Sequence, residues 1–223
     1  VTRILALDTS TWWGSVALVE RTRDGPRVVA EREERIDGSH AEHLLSWIEA
    51  LLQGAGWSRG SVDAYVATRG PGSFTGVRVA LGTIRGLGLA TGRPCVGVTT
   101  LAAIAQAHGR ADRPRAAVMD AGRGELFAAR FDAASAPPAE VVAPWLGPAD
   151  EVLRGEDAAG ALFVPGPGTE VPREGGRAVA AAPRGLASAA GSIVALAGVA
   201  AAPPPLAPLY LRAPDALLKR RRS

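Results

Sequence analysis

Between Ile4 and His108 the apolar residues change period in a fixed order, and that order limits the fold more than any other feature. ILALD (4–8), SVALVE (15–20) and RVVAEREERI (27–36) read as strands. The first two are expected to join through a turn at Gly14, and the third to be entered through Asp24-Gly25-Pro26. SHAEHLLSWIEALLQGAG then places Leu44, Leu45, Trp47, Ile48, Leu51 and Leu52 on one helix face. Ser39 is the expected N-cap, Glu42 completes a capping box, and Gly54 lies near the helix end. A strand over 63–68, a helix over 75–91, a strand over 95–98 and a helix over 100–108 follow. The order β-β-β-α-β-α-β-α predicts an α/β fold, a mixed sheet covered by helices.

The second half repeats part of that order. RAAVMDA (115–121) and ELFAARFD (125–132) predict a hairpin through Gly122 and Gly124. AEVVAPWL, a short helix near 148–154, a strand over 161–165 and an Ala-rich helix over 185–200 come next. LALDT (5–9) is echoed by AVMDA (117–121), and GPGS (70–73) by GPGT (166–169), in the same order. The chain is therefore read as two lobes, 1–108 and 109–223, with the last segment, about 207–223, packing back on the first lobe. Its 223 residues suffice for a large packed core.

At the junction of the fourth strand and the second helix stands GPGSFTG (70–76). Glycines before a helix N-terminus let backbone N–H groups and the positive end of the helix dipole approach an anion. Gly70, Gly72, Ser73, Thr75 and Gly76 are thus candidates for phosphate or nucleotide contact, and a purely structural turn is the alternative. Two nucleotide motifs fail. The P-loop requires Lys after its last glycine, where Val77 stands, and the dinucleotide fingerprint requires glycine at Thr75. From Ala64 to Ala111 there is no Asp or Glu, whereas Arg69, Arg78, Arg85, Arg93 and Arg110 lie there. General-base or metal chemistry beside the loop would need Asp8, at the end of the first strand, or Asp120, at the matching point of the second half.

Composition narrows the remaining classes. The net charge is +3 and Lys219 is the single lysine, so the pI of 9.7 reflects arginine more than excess charge. The closing KRRRS is read as a solvated end. One cysteine, Cys95, excludes an intrachain disulfide and points to a reducing cytosol. VTRILALD lacks the order of a signal peptide, and the uncharged run from Gly185 to Leu211 is too Ala- and Gly-rich to span a bilayer. The expectation is a soluble, cytoplasmic chain. His40 and His43 are not followed by a metal motif, and no nucleophile-His pair is evident.

Taken together, ILALDTSTWWGSVALVE, SHAEHLLSWIEALL, RGPGSFTGVRVALGTIRGLGLATGRPCVGVTTLAAIA, VMDAGRGELFAARF and PLYLR resemble the TsaB (YeaZ) family. The resemblance implies the two-lobed actin/Hsp70/sugar-kinase fold. It also implies a bacterial subunit of the machinery that forms N6-threonylcarbamoyladenosine in tRNAs reading ANN codons. The implied partners are the catalytic paralogue TsaD and the ATPase TsaE, with a homodimer when the partner is absent and tRNA contact indirect. In the paralogue a His-x-x-x-His helix start holds a metal; here Thr100 and Ile104 occupy those positions, and neither is a metal ligand. No intrinsic cofactor is expected, with ATP or ADP at the partner interface as the implied ligand.

The mechanism expected on these grounds is a non-catalytic scaffold. Gly82, Gly86 and Ala90 form a smooth stripe on the second helix. The expected docking face comprises Leu44, Leu45, Ile48, Leu51, Leu52, Val77, Arg78, Leu81, Gly82, Ile84, Arg85 and Gly86. A nucleotide near it would meet Asp8, Ser10, Ser73 and Thr75. The rival reading is an autonomous ATP-dependent small-molecule kinase of the same fold, using Asp8 and Asp120. A general RNA-binding module has only the basic tail in its favour.

Overall fold

The computed structural model describes residues 1–36, 40–155, 160–173, 177–199 and 206–212, with residues 40–43 described by their backbone alone. Ser39, the side chains of His40, Glu42 and His43, Pro203–Pro205 and the basic tail lie outside the described residues.

The chain forms two five-stranded sheets of the same design. β1 (Thr2–Asp8), β2 (Trp13–Thr22) and β3 (Gly25–Arg35) pair antiparallel, and β4 (Ala64–Thr68) and β5 (Cys95–Val98) add parallel strands on the other side of β1. The order is β3-β2-β1-β4-β5. In the second sheet β6 (Arg115–Gly122), β7 (Glu125–Phe131) and β8 (Glu140–Pro148) are antiparallel, while β9 (Leu162–Pro165) and β10 (Ala178–Val179) run parallel beyond β6. Reading β8-β7-β6-β9-β10 reproduces the first order strand for strand. This is the duplicated, two-lobed α/β architecture that the resemblance implies.

Helices make the intervening layers. α1 (His40–Gly54) and α2 (Phe74–Thr91) cover one face of the first sheet, where Leu5, Leu7, Val16 and Leu18 meet Leu44, Ile48, Leu81 and Ile84. The alternate residues Ile4, Ala6, Ala17 and Val19 face α3 (Thr100–His108) and α5 (Leu186–Ala197). The second sheet packs Ala117, Met119, Ala129 and Phe131 onto those same two helices, and its far face carries α4 (Ala149–Arg154). Both faces of each central strand are covered, so β1 and β4 read as nearly continuous apolar runs. α5 comes from the second half of the chain yet lies on β1 and β2, and its small residues permit the approach. A Cβ on Gly191 would fall 2.9 Å from Val19 Cγ2. The start of α5 is held by the first sheet: Gly185 N–H donates to Glu33 (3.2 Å), Ala187 N–H to Ser15 Oγ (3.2 Å) and Ser188 N–H to Glu31 (3.4 Å). These acceptors satisfy donors that a helix start leaves unpaired.

Two expectations are corrected. Gly14 does not make the first turn; it lies inside β2 opposite Glu34, and residues 9–12 turn the chain. It is glycine for packing, because a Cβ there would fall 2.2 Å from Ile36 Cδ1. Much of the expected docking face is core: Leu44, Ile48, Leu52, Val77, Leu81 and Ile84 are buried against the chain's own sheet. An amphipathic helix spends its apolar stripe on its own lobe first. Leu45, Arg78, Gly82, Arg85 and Gly86 remain exposed, Leu51 is half-buried, and Leu89 is 87% exposed. Among the described residues no helix is long and apolar enough to cross a membrane.

Candidate functional site

β1 delivers Asp8 to the base of the turn at residues 9–12, where it is 1% exposed. Its Oδ1 accepts from Ser10 Oγ (2.6 Å), Ser10 N–H (3.2 Å) and the hydroxyl of Thr68 at the end of β4. Burial raises its pKa, the Ser10 and Thr68 hydroxyls pull it part of the way back, and the Glu33 charge adds to the rise. A carboxyl with a raised native pKa adds stability below its ordinary value of 3.8 and loses it as pH climbs through the native value. Asp8→Asn should therefore gain stability relative to the native chain as pH rises from 3.8 to the native value, and keep a constant advantage above it. Urea denaturation across that range measures the trend, and parallel curves would remove the assignment.

The glycine loop is built around the same turn. Ser73 N–H donates to Ser10 O (2.8 Å), and Thr9 Oγ1 donates to Gly76 O (2.6 Å). A Cβ on Gly72 would stand 2.3 Å from Ser10 O, and one on Gly76 would stand 1.8 Å from Thr9 O. Ser73 caps α2 by accepting from Gly76 N–H (3.2 Å), and Gly92 at φ 69° closes the helix. Gly70 (φ 96°) gives its carbonyl to Thr100 N–H (2.9 Å). The loop's glycines thus serve a close crossing of two backbone segments, and the N–H groups of Ser73, Gly76 and Val77 are used within the chain.

Opposite stands the loop's counterpart. Asp120 N–H donates to Thr169 Oγ1 (3.0 Å), and its Oδ1 accepts from Gly122 N–H (2.7 Å) at the tip of the β6–β7 hairpin. Between the two loops lies a cleft of about 440 Å³. Its first-lobe wall is Ser10, Thr11, Trp12 and Pro71–Phe74; its second-lobe wall is Met119–Ala121, Phe127 and Pro167–Thr169; residues 209–212 close the mouth. Of the sequence candidates, Ser10, Gly72, Ser73 and Asp120 line it. Asp8, Gly70 and Gly76 are buried beneath, and Thr75 is exposed on the first turn of α2 away from the wall. The arrangement suits a molecule with a flat apolar part and a few polar groups: Trp12, 69% exposed, offers a ring, and Ser10, Ser73 and Thr169 offer hydroxyls.

Sequence reasoning missed Trp12, Phe74, Thr169, Tyr210 and Arg212 as members of this wall. The Trp12-Trp13 pair at the tip of a predicted hairpin was a usable signal, because a polar turn seldom holds two indoles. The GPGT echo likewise pointed to Thr169.

Thr100 and Ile104 are both fully buried at the base of this region, Ile104 within hydrocarbon. Ile104 Cδ1 would lie 2.9 Å from a Cβ on Gly166, so the GPGT loop closes directly over it. Neither side chain is an imidazole or a carboxylate, so this pair supplies no such metal ligand. Among the described residues no three His, Cys, Asp or Glu side chains gather around a common point.

Comparison with known proteins agrees with this frame. Residues 32–146 match the family described as TsaD: tRNA N6-adenosine threonylcarbamoyltransferase. The Escherichia coli K12 protein named tRNA threonylcarbamoyladenosine biosynthesis protein TsaB is 39% identical over 132 residues, 58% of this chain and 54% of that one. The Haemophilus influenzae protein of the same name is matched over 42% of its length, so the match spans about half of these named relatives. An uncharacterized Mycobacterium tuberculosis protein is 32% identical over 97% of this chain and 94% of its own. A solved Pseudomonas aeruginosa structure described as similar to peptidase YEAZ superposes with TM-score 0.72 at 31% identity, covering 95% of this chain and all of that one. YeaZ from Pseudomonas aeruginosa gives TM-score 0.63 at 33% identity over 74% and 76% of the two chains. The duplicated frame, the glycine loop crossing the 9–12 turn and these similarities together assign the chain to the TsaB/YeaZ family.

Proposed function

We propose that this chain is a scaffold subunit in the formation of N6-threonylcarbamoyladenosine on tRNA, docking a catalytic relative of the TsaD type and working with an ATPase of the TsaE type. The pathway is supported by the names of the TsaB relatives. The docking part rests on one observation. Gly82 and Gly86 lie inside α2, and a Cβ on either would meet nothing within 4 Å. A mid-helix glycine costs about 1 kcal/mol relative to alanine, and among the described residues no packing gives a return for it. A helix from outside that approaches the stripe closely supplies the reason. Exposed Leu89 and Leu45 add apolar contact, and in isolation the same face joins a second copy.

The non-catalytic part is supported by the hydrocarbon around Ile104 and by the sealing of Asp8 behind Ser10 and Thr68. A kinase of this fold would set carboxylates on both walls of the cleft, and of its two candidates Asp120 alone lines it. An adenine nucleotide, ATP or ADP, is assigned to Ser10, Gly72, Ser73 and Asp120 when the partner is docked. Calorimetry with the chain alone and in complex tests that assignment, and no heat in either state removes it.

The glycine stripe gives a two-sided test. Gly82→Ala and Gly86→Ala should each stabilise the isolated chain by about 1 kcal/mol, while weakening co-purification with a TsaD-type partner. Leu45→Asp with Leu89→Asp should abolish it. Undiminished co-purification by all three variants rejects the surface, and brisk ATP turnover by the isolated chain favours the kinase reading instead.

A further inference from the structure

Among the described residues the two lobes meet through the packed core around α3 and α5, and again across the cleft mouth through residues 206–212. We propose that this second connection is a clasp that holds the cleft closed, anchored on the first lobe and caught on the second by Arg212. Neither the docking face nor the nucleotide assignment above is needed for it.

The anchor is broad. Leu206 packs into the core beneath α2, and its carbonyl accepts from the Arg85 guanidinium. Leu209 N–H donates to Arg69 O (2.6 Å), continuing the backbone where β4 ends. Tyr210 stacks at 5.1 Å on Phe74, and its hydroxyl accepts from Arg78 Nε (2.8 Å). The Arg78 guanidinium lies 3.8 Å over the Phe74 ring, so aromatic and cationic contacts fix the segment against the first turn of α2. Gly70 is shaped to this neighbour, since a Cβ there would fall 2.9 Å from Leu209 O.

The catch is narrow. Arg212 donates from Nη1 to Ala121 O (2.6 Å) and from Nη2 to the Glu125 carboxylate, on the two sides of the β6–β7 hairpin tip. The side chains of Arg212 and Glu125 are 20% and 35% exposed, so the pair is partly shielded from water and charge-assisted. Between anchor and catch the segment forms neither helix nor strand. Among the described residues one side chain therefore ties the second lobe at the mouth, and its release leaves the strap on the first lobe while the hairpin carrying Asp120 moves away. A molecule entering the cleft passes this point.

Amide hydrogen exchange on the full chain tests the clasp. Arg212→Ala should speed exchange at least tenfold in the segments covering residues 119–126 and 166–169, and less at the anchored Leu209 amide. Glu125→Gln should act in the same direction. Arg212→Ala with Glu125→Gln should be no faster than Arg212→Ala alone, because one catch is removed once. Arg212→Lys, which keeps the charge but cannot bridge both acceptors, should fall between. Unchanged exchange across 119–126, faster exchange confined to 206–212, or additive effects in the double variant would each overturn the proposal.

Discussion

Arg115→Ala is expected to cost about 3–5 kcal/mol, the range for removing one member of a buried charged network. For a chain of this size that lowers the melting temperature by about 10 °C. Arg115 opens β6 and is 1% exposed, the largest side chain so deeply buried among the described residues. Its guanidinium donates to Ala105 O (3.1 Å) and Gly109 O (2.5 Å) at the end of α3, to Asp132 O from Nε (3.0 Å) and Nη2 (2.9 Å), and to Ser135 O (3.4 Å). Those carbonyls belong to the layer shared by both sheets and to the turn that follows β7. The cation also stands at the negative end of the α3 dipole, with the Asp132 carboxylate at 3.5 Å. Removing it strands the buried Ala105 carbonyl, takes donors from the half-buried Gly109, Asp132 and Ser135 carbonyls, and leaves the space of a large buried side chain empty. Arg115→Met, which restores apolar volume without donors, should recover little. Arg113→Ala is the control: that side chain is exposed and pairs with its neighbour Asp112, an arrangement worth well under about 1 kcal/mol. Thermal unfolding that moves equally in Arg115→Ala and Arg113→Ala would refute the staple.

Much of the frame was legible because its strands are covered on both faces. Runs such as ILALD and AYVAT have no polar face to confuse the period, and the helices between them carry clean apolar stripes. β10 was invisible, since two residues hold no periodicity. The docking face was misread for a physical reason. Leu44 and Leu45 are adjacent and equally apolar, and only the placement of the sheet decides which is core. The pattern of an amphipathic helix is the same whether its partner is its own lobe or another chain. Gly82 and Gly86 were the better signal, because their cost does not depend on which side the sheet lies.

The cleft was half legible. Ser10, Gly72, Ser73 and Asp120 follow from strand ends and loop composition, which are local. Tyr210 and Arg212 come from a return of the chain, 132 residues from Tyr210 to Arg78 and 91 from Arg212 to Ala121; the last segment was expected on the first lobe, but nothing local places these two side chains at the cleft. The same holds for Glu31 and Glu33, whose place at the start of α5 is set by tertiary packing.

Gly76→Ala decides what the glycine loop is for, and its expected cost is about 3 kcal/mol, the upper end for overpacking. The added methyl would sit 1.8 Å from Thr9 O, a backbone atom that cannot rotate away. Relief requires the turn at residues 9–12 to withdraw, which would break the Thr9 Oγ1 bond to Gly76 O and the Ser73 N–H bond to Ser10 O. Thr9→Ala should not rescue the variant, because the obstruction is main-chain and not the hydroxyl. Gly82→Ala, on the same helix with open space around it, should shift stability in the opposite direction. If Gly76→Ala unfolds at the same urea concentration as the native chain, the crossing is not what fixes glycine there, and an anion held by the backbone regains its claim. A large loss in Gly76→Ala beside a gain in Gly82→Ala assigns the first glycine to the chain's own assembly and the second to something outside it.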